Sequence, residues 1–174
     1  MFFQTVVFRN LFRITMDPLV EAVLLPLLKD PQLEIREACA QIVSGLLRCS
    51  TISLDTILPF VRRWIRKPKG QFRKGDFGTE KEYSEALIIR HAGVLTLSSI
   101  ILAFPYSLPD FLPDLLVQLI GHLSDPNPIQ ATVKKSISEF RRTHQDRWHD
   151  HVKQFNPEQL EIVSEVLISP SYYV

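Results

Sequence analysis

The residue types best suited to metal binding lie close together near the C-terminal end of the sequence. His144, Asp146, His149, Asp150 and His151 supply imidazole and carboxylate groups within one short stretch. The spacing fits a metal poorly, because side chains at positions 149 and 151 point to different sides of a helix and no cysteine is near enough to complete a zinc set. We therefore predict a solvated polar face and no metal site.

Motifs for catalysis and cofactor binding are missing from the sequence. It has no glycine-rich phosphate loop, no Gly-x-Ser-x-Gly motif and no His-Glu-x-x-His, and its 6 glycines are scattered. His91 lies within an apolar helical pattern, which favours a hydrogen-bonded core histidine over a catalytic base. Glu161 and Glu165 have the spacing of a solvated helix face. The sequence predicts no enzyme, no catalytic residue and no cofactor.

A strongly basic segment lies in the middle of a chain whose formal net charge is only +1. It contains seven basic residues and no acidic one, so the rest of the chain carries −6. Three interpretations stay open: a solvated surface loop, a nuclear localisation signal, or a site for phosphate-rich ligands or nucleic acid. The basic segment consists of Arg62, Arg63, Arg66, Lys67, Lys69, Arg73 and Lys74.

Capping signals indicate where the helices that carry these side chains begin. Four predicted helix starts place a capping acceptor before a proline suited to the first helical turn. They are Asp17-Pro18, Asp30-Pro31, Asp125-Pro126 and Asn156-Pro157. Thr79 and Glu82 have the spacing of a capping box. Apolar residues recur at helical spacing behind each start and never alternate with period two for long, so we expect helices and no sheet.

A faint internal repeat indicates how the helices stack. Leu28-Lys29-Asp30-Pro31 recurs as Leu123-Ser124-Asp125-Pro126, at twice the ~40 to 47 residues of HEAT and armadillo units. We predict an all-α, HEAT/armadillo-like α-solenoid of about three helix pairs and a two-helix C-terminal cap. The expected parts are repeats at 1–66, a basic flexible loop at 67–78, further repeats and the cap at 79–168, and an exposed tail at 169–174.

Several segments of the second half carry a more specific signal. They are Arg90–Leu95, Pro105-Tyr106, Asp125–Ile129, Thr132–Lys135, Phe140–His144 and Ser169–Val174. Together they resemble the C-terminal region of the giant HEAT-repeat proteasome activators, the subunit 4 or bleomycin-resistance family, and the resemblance is thinner between residues 19 and 47. Members of that family are many times longer than this chain.

The resemblance implies an ATP-independent activator that docks on the outer ring of the core proteasome and opens its axial gate. Members end in a hydrophobic residue, a tyrosine and a terminal residue, which match Tyr172, Tyr173 and Val174 here. Many members end in alanine, and the valine leaves the terminal carboxylate unchanged. The alternative is a general HEAT-repeat adaptor that binds acidic partners or nucleic acid through the basic segment.

The resemblance also implies acetylated histones and inositol phosphates as partners. Acetyl-lysine readers usually hold the acetyl group with an asparagine amide, and the only asparagines are Asn10, Asn127 and Asn156, so acetylated histones are the weaker expectation. For inositol phosphates the basic segment is the candidate site. The longest run free of charges and prolines, 91–104, is too short for the ~20 residues of a membrane span, so no membrane partner is expected. Two cysteines in helical patterns favour a reducing compartment, the nucleus and cytoplasm.

Overall fold

The computed structural model describes residues 18–66 and 72–168. Within these ranges the chain is helical and has no β-strand, which confirms the all-α prediction. A π-helical turn, Val20–Leu24, leads into α1 (Leu25–Leu27), followed by α2 (Leu33–Arg48), α3 (Leu54–Ile65), α4 (Glu80–Leu102), α5 (Leu112–Ile120), α6 (Ile129–His144), α7 (Trp148–His151) and α8 (Pro157–Ile168). The order of three helix pairs and two final helices is that of the predicted HEAT-like repeats.

Two of the predicted helix starts are capped as expected. At α4, the Thr79 hydroxyl accepts a hydrogen bond from the Glu82 amide at 3.2 Å, and the Glu82 carboxylate accepts one from the Thr79 amide at 3.1 Å. At α8, Asn156 and Gln159 make the same reciprocal pair at 2.8 and 2.9 Å. Each pair satisfies amides that a helix leaves without an internal acceptor.

The start predicted at Asp30-Pro31 was wrong in detail. The helix α2 begins at Leu33, and the Asp30 carboxylate accepts a hydrogen bond from the amide of Gln32 at 2.8 Å. Arg36 then donates to the carbonyl oxygens of Asp30 and Pro31 at 2.7 and 2.9 Å. The aspartate therefore closes the turn before the helix instead of capping the first helical turn.

The start predicted at Asp125-Pro126 was wrong for a related reason. The carboxylate of Asp125 is buried and lies 2.6 Å from Nδ1 of the buried His122, three residues earlier. The helix α6 begins only at Ile129, after a cis peptide bond between Asn127 and Pro128. Asp17, which was expected to cap the first helix, lies outside the described residues.

Contacts divide the chain into two compact units, Met1–Ala103 and Phe104–Val174. In the first unit, α4 packs against both α2 and α3. The close approach of α3 depends on Gly93, because a Cβ atom there would lie 2.7 Å from Cγ2 of Ile65 and 2.9 Å from Cβ of Trp64. The loop predicted at 67–78 lies between α3 and α4, and both helices belong to the first unit.

The helix α4 is long and apolar enough to cross a membrane, judged by length and composition alone. However, 67% of its apolar window is buried, and so is every residue from 90 to 101. A helix that is apolar on all sides fits a position in a protein core. We therefore describe α4 as the core helix of this unit.

The buried polar network of the first unit joins α2 to α4. The side chain of His91 is completely buried, and its Nδ1 accepts a hydrogen bond from Nε of Arg36 at 3.3 Å. Burial, with a smaller contribution from the positive charge of Arg36, lowers the pKa of His91 to about 4. The prediction of a hydrogen-bonded core histidine is confirmed.

Cys39 on α2 and Cys49 directly after α2 have opposite environments. Cys39 is buried, its Sγ donates to the carbonyl of Leu24 at 3.4 Å, and burial raises the pKa of the thiol to about 11. Cys49, directly after the last residue of α2, is exposed. Neither forms a disulfide.

Candidate functional site

The three residues predicted to bind the proteasome, Tyr172, Tyr173 and Val174, lie outside the described residues. The structure does describe α8, the helix that precedes them in the chain and ends at Ile168. The structure therefore describes the helix next to the candidate site and not the site residues themselves.

Three kinds of contact hold α8 in the second unit. The Asn156–Gln159 pair caps its first turn, and Nε2 of Gln159 also donates to the carboxylate of Asp114 on α5 at 2.6 Å. The side chains of Val163 and Leu167 are buried, and α8 packs against both α5 and α6. Polar and apolar contacts thus fix the helix that precedes the tail in the chain.

The basic segment is only partly described. Arg62, Arg63 and Arg66 are exposed at the C-terminal end of α3, where positive charge complements the helix dipole. Among the residues the structure describes, these three arginines form no ion pair. Arg73 and Lys74 are also exposed, and Lys74 pairs with Glu80. Lys67 and Lys69 fall outside the described ranges.

An aromatic cluster fixes the chain at the C-terminal end of the basic segment. Phe72 is buried, and its ring centroid lies 5.2 Å from that of Phe77 and 5.7 Å from that of Tyr83. The guanidinium carbon of Arg90 lies 4.6 Å from the centre of the Phe72 ring, within the range of a cation–π interaction. The sequence analysis missed this cluster, although three aromatic residues around a Gly- and Lys-rich stretch were a visible signal.

A groove of about 410 Å³ in the first unit places aromatic rings beside cationic side chains. Phe60 and Trp64 of α3 line it together with Lys29, Arg63 and the exposed Ile89. The ammonium of Lys29 lies 5.7 Å from the centroid of the Trp64 ring. Arg63 of α3 therefore borders an aromatic groove, to which the core residue Trp64 contributes part of its ring.

The histidine-rich stretch separates into buried and exposed groups. His144 is buried, with its ring nitrogens 3.0 Å from the carbonyl of Phe140 and 3.1 Å from that of Ser107. His151 is also buried, and burial, followed by the charges of His144 and Arg147, lowers its pKa. His149, Asp146 and Asp150 are exposed. Within residues 18–66 and 72–168, no three potential ligands come together to hold a metal ion.

The family assignment follows from sequence comparison. Residues 87–174, half of the chain, match the family described as proteasome activator complex subunit 4-like, C-terminal. The chain belongs to this family. The matched region begins within α4, includes all helices of the second unit and continues through the tail to the last residue. The resemblance stated from the motifs is confirmed.

Curated members of the family are similar to nearly the whole chain. The chain is 42% identical to proteasome activator complex subunit 4 of Xenopus laevis and 41% identical to that of Homo sapiens, in both cases over 99% of this chain. It is 29% identical to proteasome activator BLM10 of Saccharomyces cerevisiae over 90% of this chain. The aligned region covers 10% of the two vertebrate proteins and 7% of the yeast one.

Proposed function

We propose that this chain acts as the C-terminal part of an ATP-independent proteasome activator, docking on the outer ring of the core proteasome through Tyr172, Tyr173 and Val174 and promoting gate opening. One observation carries the proposal: the family match runs to residue 174, so the tail belongs to the matched region. The relatives are named as proteasome activators, which supports the same class of role for this chain. We place its action in the nucleus and cytoplasm.

The proposed contact rests on the terminal carboxylate and two rings. The Val174 carboxylate pairs with a lysine in a pocket between neighbouring outer-ring subunits, a charge-assisted contact worth roughly 1.5 to 3 kcal/mol. Tyr173 inserts its ring into the pocket and donates its hydroxyl to backbone near the gate. Tyr172 covers the mouth of the pocket. Capture of a free chain end in this way is a recurrent mode of peptide recognition.

The tail should bind weakly when the rest of a large activator is missing. Ordering three residues offsets much of the gain from burying two rings, which leaves about −4 kcal/mol, or a millimolar Kd. The contacts of Gln159, Val163 and Leu167 hold α8, so a larger assembly can present the tail at high effective concentration. The isolated chain is therefore expected to bind and stimulate the core proteasome only at high concentration.

The test measures binding of the full chain to purified core proteasome by surface plasmon resonance, together with stimulation of peptide hydrolysis. We expect Tyr173→Ala, deletion of Val174, or one glycine added after Val174 each to reduce binding by about tenfold or more. The added glycine keeps every side chain and moves only the carboxylate. Tyr106→Ala is the control, because Tyr106 lies outside the tail and is 61% exposed.

Equal binding by the chain and all three tail variants would contradict docking through the tail. Circular dichroism should be the same for all of them, since the changes lie beyond α8. The tail variants could lose binding although the parent chain does not stimulate peptide hydrolysis. That result would support docking through the tail and would contradict gate opening by this chain alone.

A second candidate function, an adaptor for acidic partners or nucleic acid, is favoured by the exposed arginines of α3 and by the groove that Arg63 lines. Binding to a DNA duplex or to inositol hexakisphosphate would be followed by fluorescence anisotropy or calorimetry at several salt concentrations. This function predicts that Arg62→Gln with Arg63→Gln weakens binding and flattens its salt dependence. The exposed pair Lys134→Gln with Lys135→Gln removes the same charge from α6 and should have little effect.

Acetylated histones remain the weaker proposal. Of the asparagines, Asn127 and Asn156 both lie in the second unit, and the side-chain oxygen of Asn156 accepts the hydrogen bond that caps α8. Neither lies in the first unit, and Asn10, which does, is outside the described residues. An acetylated histone-tail peptide that binds no more tightly than its unacetylated form would exclude this partner.

A further inference from the structure

A groove of about 380 Å³ lies in the second unit, between the loop at 106–109 and the segment 147–154, which contains α7. It is lined by Tyr106–Pro109, Arg147, Asp150, His151 and Gln154. Leu108 is buried and Pro109 half-buried, and these two form the apolar part of the lining. The volume is at the small end of the roughly 300 to 1,000 Å³ typical of ligand sites, so the groove can seat a short stretch of peptide.

One buried histidine holds both walls of the groove. Nε2 of His144 lies 3.1 Å from the carbonyl oxygen of Ser107, to which it donates because a carbonyl can only accept. The ring of His144 also lies 5.3 Å from the ring of His151, measured between centroids. The loop wall and the α7 wall therefore contact the same side chain of α6, and the groove is formed without a ligand.

Two polar groups of the α7 wall are not used by the fold. Arg147 is exposed and forms no ion pair within residues 18–66 and 72–168. His151 is only 4% exposed, and its Nε2 has no hydrogen-bond partner among the described residues. Folded proteins pair roughly 90% or more of their buried polar groups, so an unpaired nitrogen in the wall of a groove points to a polar group that binds there.

The charges of the groove favour a carboxylate over a phosphate. Asp150 pairs with Lys153, whose Nζ lies 3.3 Å from Oδ1, so Arg147 is the cation of the lining that is left to bind a ligand. A carboxylate carries one negative charge and matches the planar fork of a guanidinium. A phosphate dianion or a nucleic acid would need more cations and would be repelled by Asp150.

We propose that this groove binds an acidic segment of a partner protein, with one carboxylate side chain on Arg147 and a neighbouring apolar side chain on Leu108 and Pro109. Tyr106 favours a protein over a free organic acid. It stands at the open edge of the groove, 61% exposed, with a φ of 69° that side chains other than glycine rarely adopt. Tyrosines in such positions are frequent anchors of protein interfaces.

The proposed groove is separate from the sites discussed above. It lies in the second unit, whereas the described part of the basic segment lies in the first. It does not include the three C-terminal residues, so the proposal goes beyond proteasome docking and does not depend on it.

Three peptides that differ in one side chain test the proposal against the full chain. They are acetyl-Leu-Glu-Leu-amide and the same peptide with glutamine or phosphoserine in the middle position. Titrations followed by ¹H–¹⁵N NMR should give a millimolar Kd for the glutamate peptide, about fivefold or more below that of the glutamine peptide. The signals that shift should be those of Tyr106, Arg147 and His151.

Variants of the chain assign the preference to the groove. Arg147→Gln is expected to bind the glutamate and glutamine peptides equally weakly. Lys135→Gln removes the same charge from an exposed position of α6 outside the groove and should keep the preference. Tyr106→Ala should weaken both peptides by a similar factor, because it removes an aromatic contact and no charge. Circular dichroism should be the same for all three variants, since each changed residue is exposed.

Four results would overturn the proposal. They are no binding of the glutamate peptide at about 10 mM, equal binding of the glutamate and glutamine peptides by the parent chain, an unchanged preference in Arg147→Gln, and tighter binding of the phosphoserine peptide. The last result would identify a site for phosphorylated partners instead.

Discussion

His91 couples the stability of the first unit to pH. Its Nδ1 accepts the hydrogen bond from Arg36, so a proton on that nitrogen would remove the acceptor and place two positive charges together. The pKa of His91 is about 4 in the folded chain, against 6.5 for an ordinary histidine. Between these values the unfolded state binds a proton that the folded state does not.

We therefore predict that the free energy of unfolding falls as the pH drops from about 6.5 to about 4, by roughly 3 kcal/mol for this group, with no further loss from it below pH 4. Urea unfolding at pH 7, 5.5 and 4 would measure this. His91→Gln keeps an acceptor near Arg36 but cannot titrate, so its stability should depend less on pH. The same pH dependence in both proteins would show that another group is responsible.

At the scale of helices, α3 and α4 pack closely because Gly93 has no side chain. We predict that Gly93→Ala destabilises the chain by about 1 to 3 kcal/mol, because the new methyl group would meet Ile65 and Trp64 at 3 Å or less. Gly45→Ala is the control, since nothing lies within 4 Å of a Cβ atom at that position of α2. It should be neutral or stabilising by up to about 1 kcal/mol.

Thermal unfolding of the two alanine variants would measure the difference. A Gly93→Ala protein as stable as the parent would mean that α3 and α4 can move apart at little cost.

The helices show which features the sequence could predict. The caps at Thr79 and Asn156 were predictable, because both partners of each pair lie within one helical turn. The Asp-Pro starts were not, since Asp30 and Asp125 bond within the preceding turns. An aspartate before a proline can do either, and the groups that decided it here, the Gln32 amide and the His122 ring, are not part of the Asp-Pro motif.

For the candidate site, too, the sequence and the structure contribute different information. The tail stays a prediction, made from its final residues and their resemblance to a family, because it lies outside the described residues. The bond between Gln159 and Asp114, which holds the helix before the tail, joins residues 45 positions apart and left no local pattern in the sequence. The aromatic cluster around Phe72 likewise needed the fold, because packing against α4 decides that a phenylalanine in a basic stretch is buried.

At the scale of the whole chain, the concentration of positive charge predicts where proteases act first. Residues 67–78 combine glycines with like charges that repel, so we expect trypsin to cut this stretch before the helices. Because Phe72 is buried and Lys74 pairs with Glu80, the earliest cuts should follow Arg66 or Lys69, since trypsin does not cleave the bond between Lys67 and Pro68.

Mass spectrometry of brief digests would locate these cuts. Lys134 and Lys135 are exposed but lie within α6, so cleavage after them should be slower. Early fragments spread evenly along the chain would instead indicate a chain that is folded only in part.

The contrast between the two thiols makes the chain its own reporter of folding. Maleimide reagents should modify Cys49 at once, which offers a single attachment point for a fluorophore at the end of α2. Cys39 should react only when the helices around it separate, since its thiol is buried and its pKa is about 11. The rate at which Cys39 is labelled thus measures how fast the first unit opens, without any engineered probe.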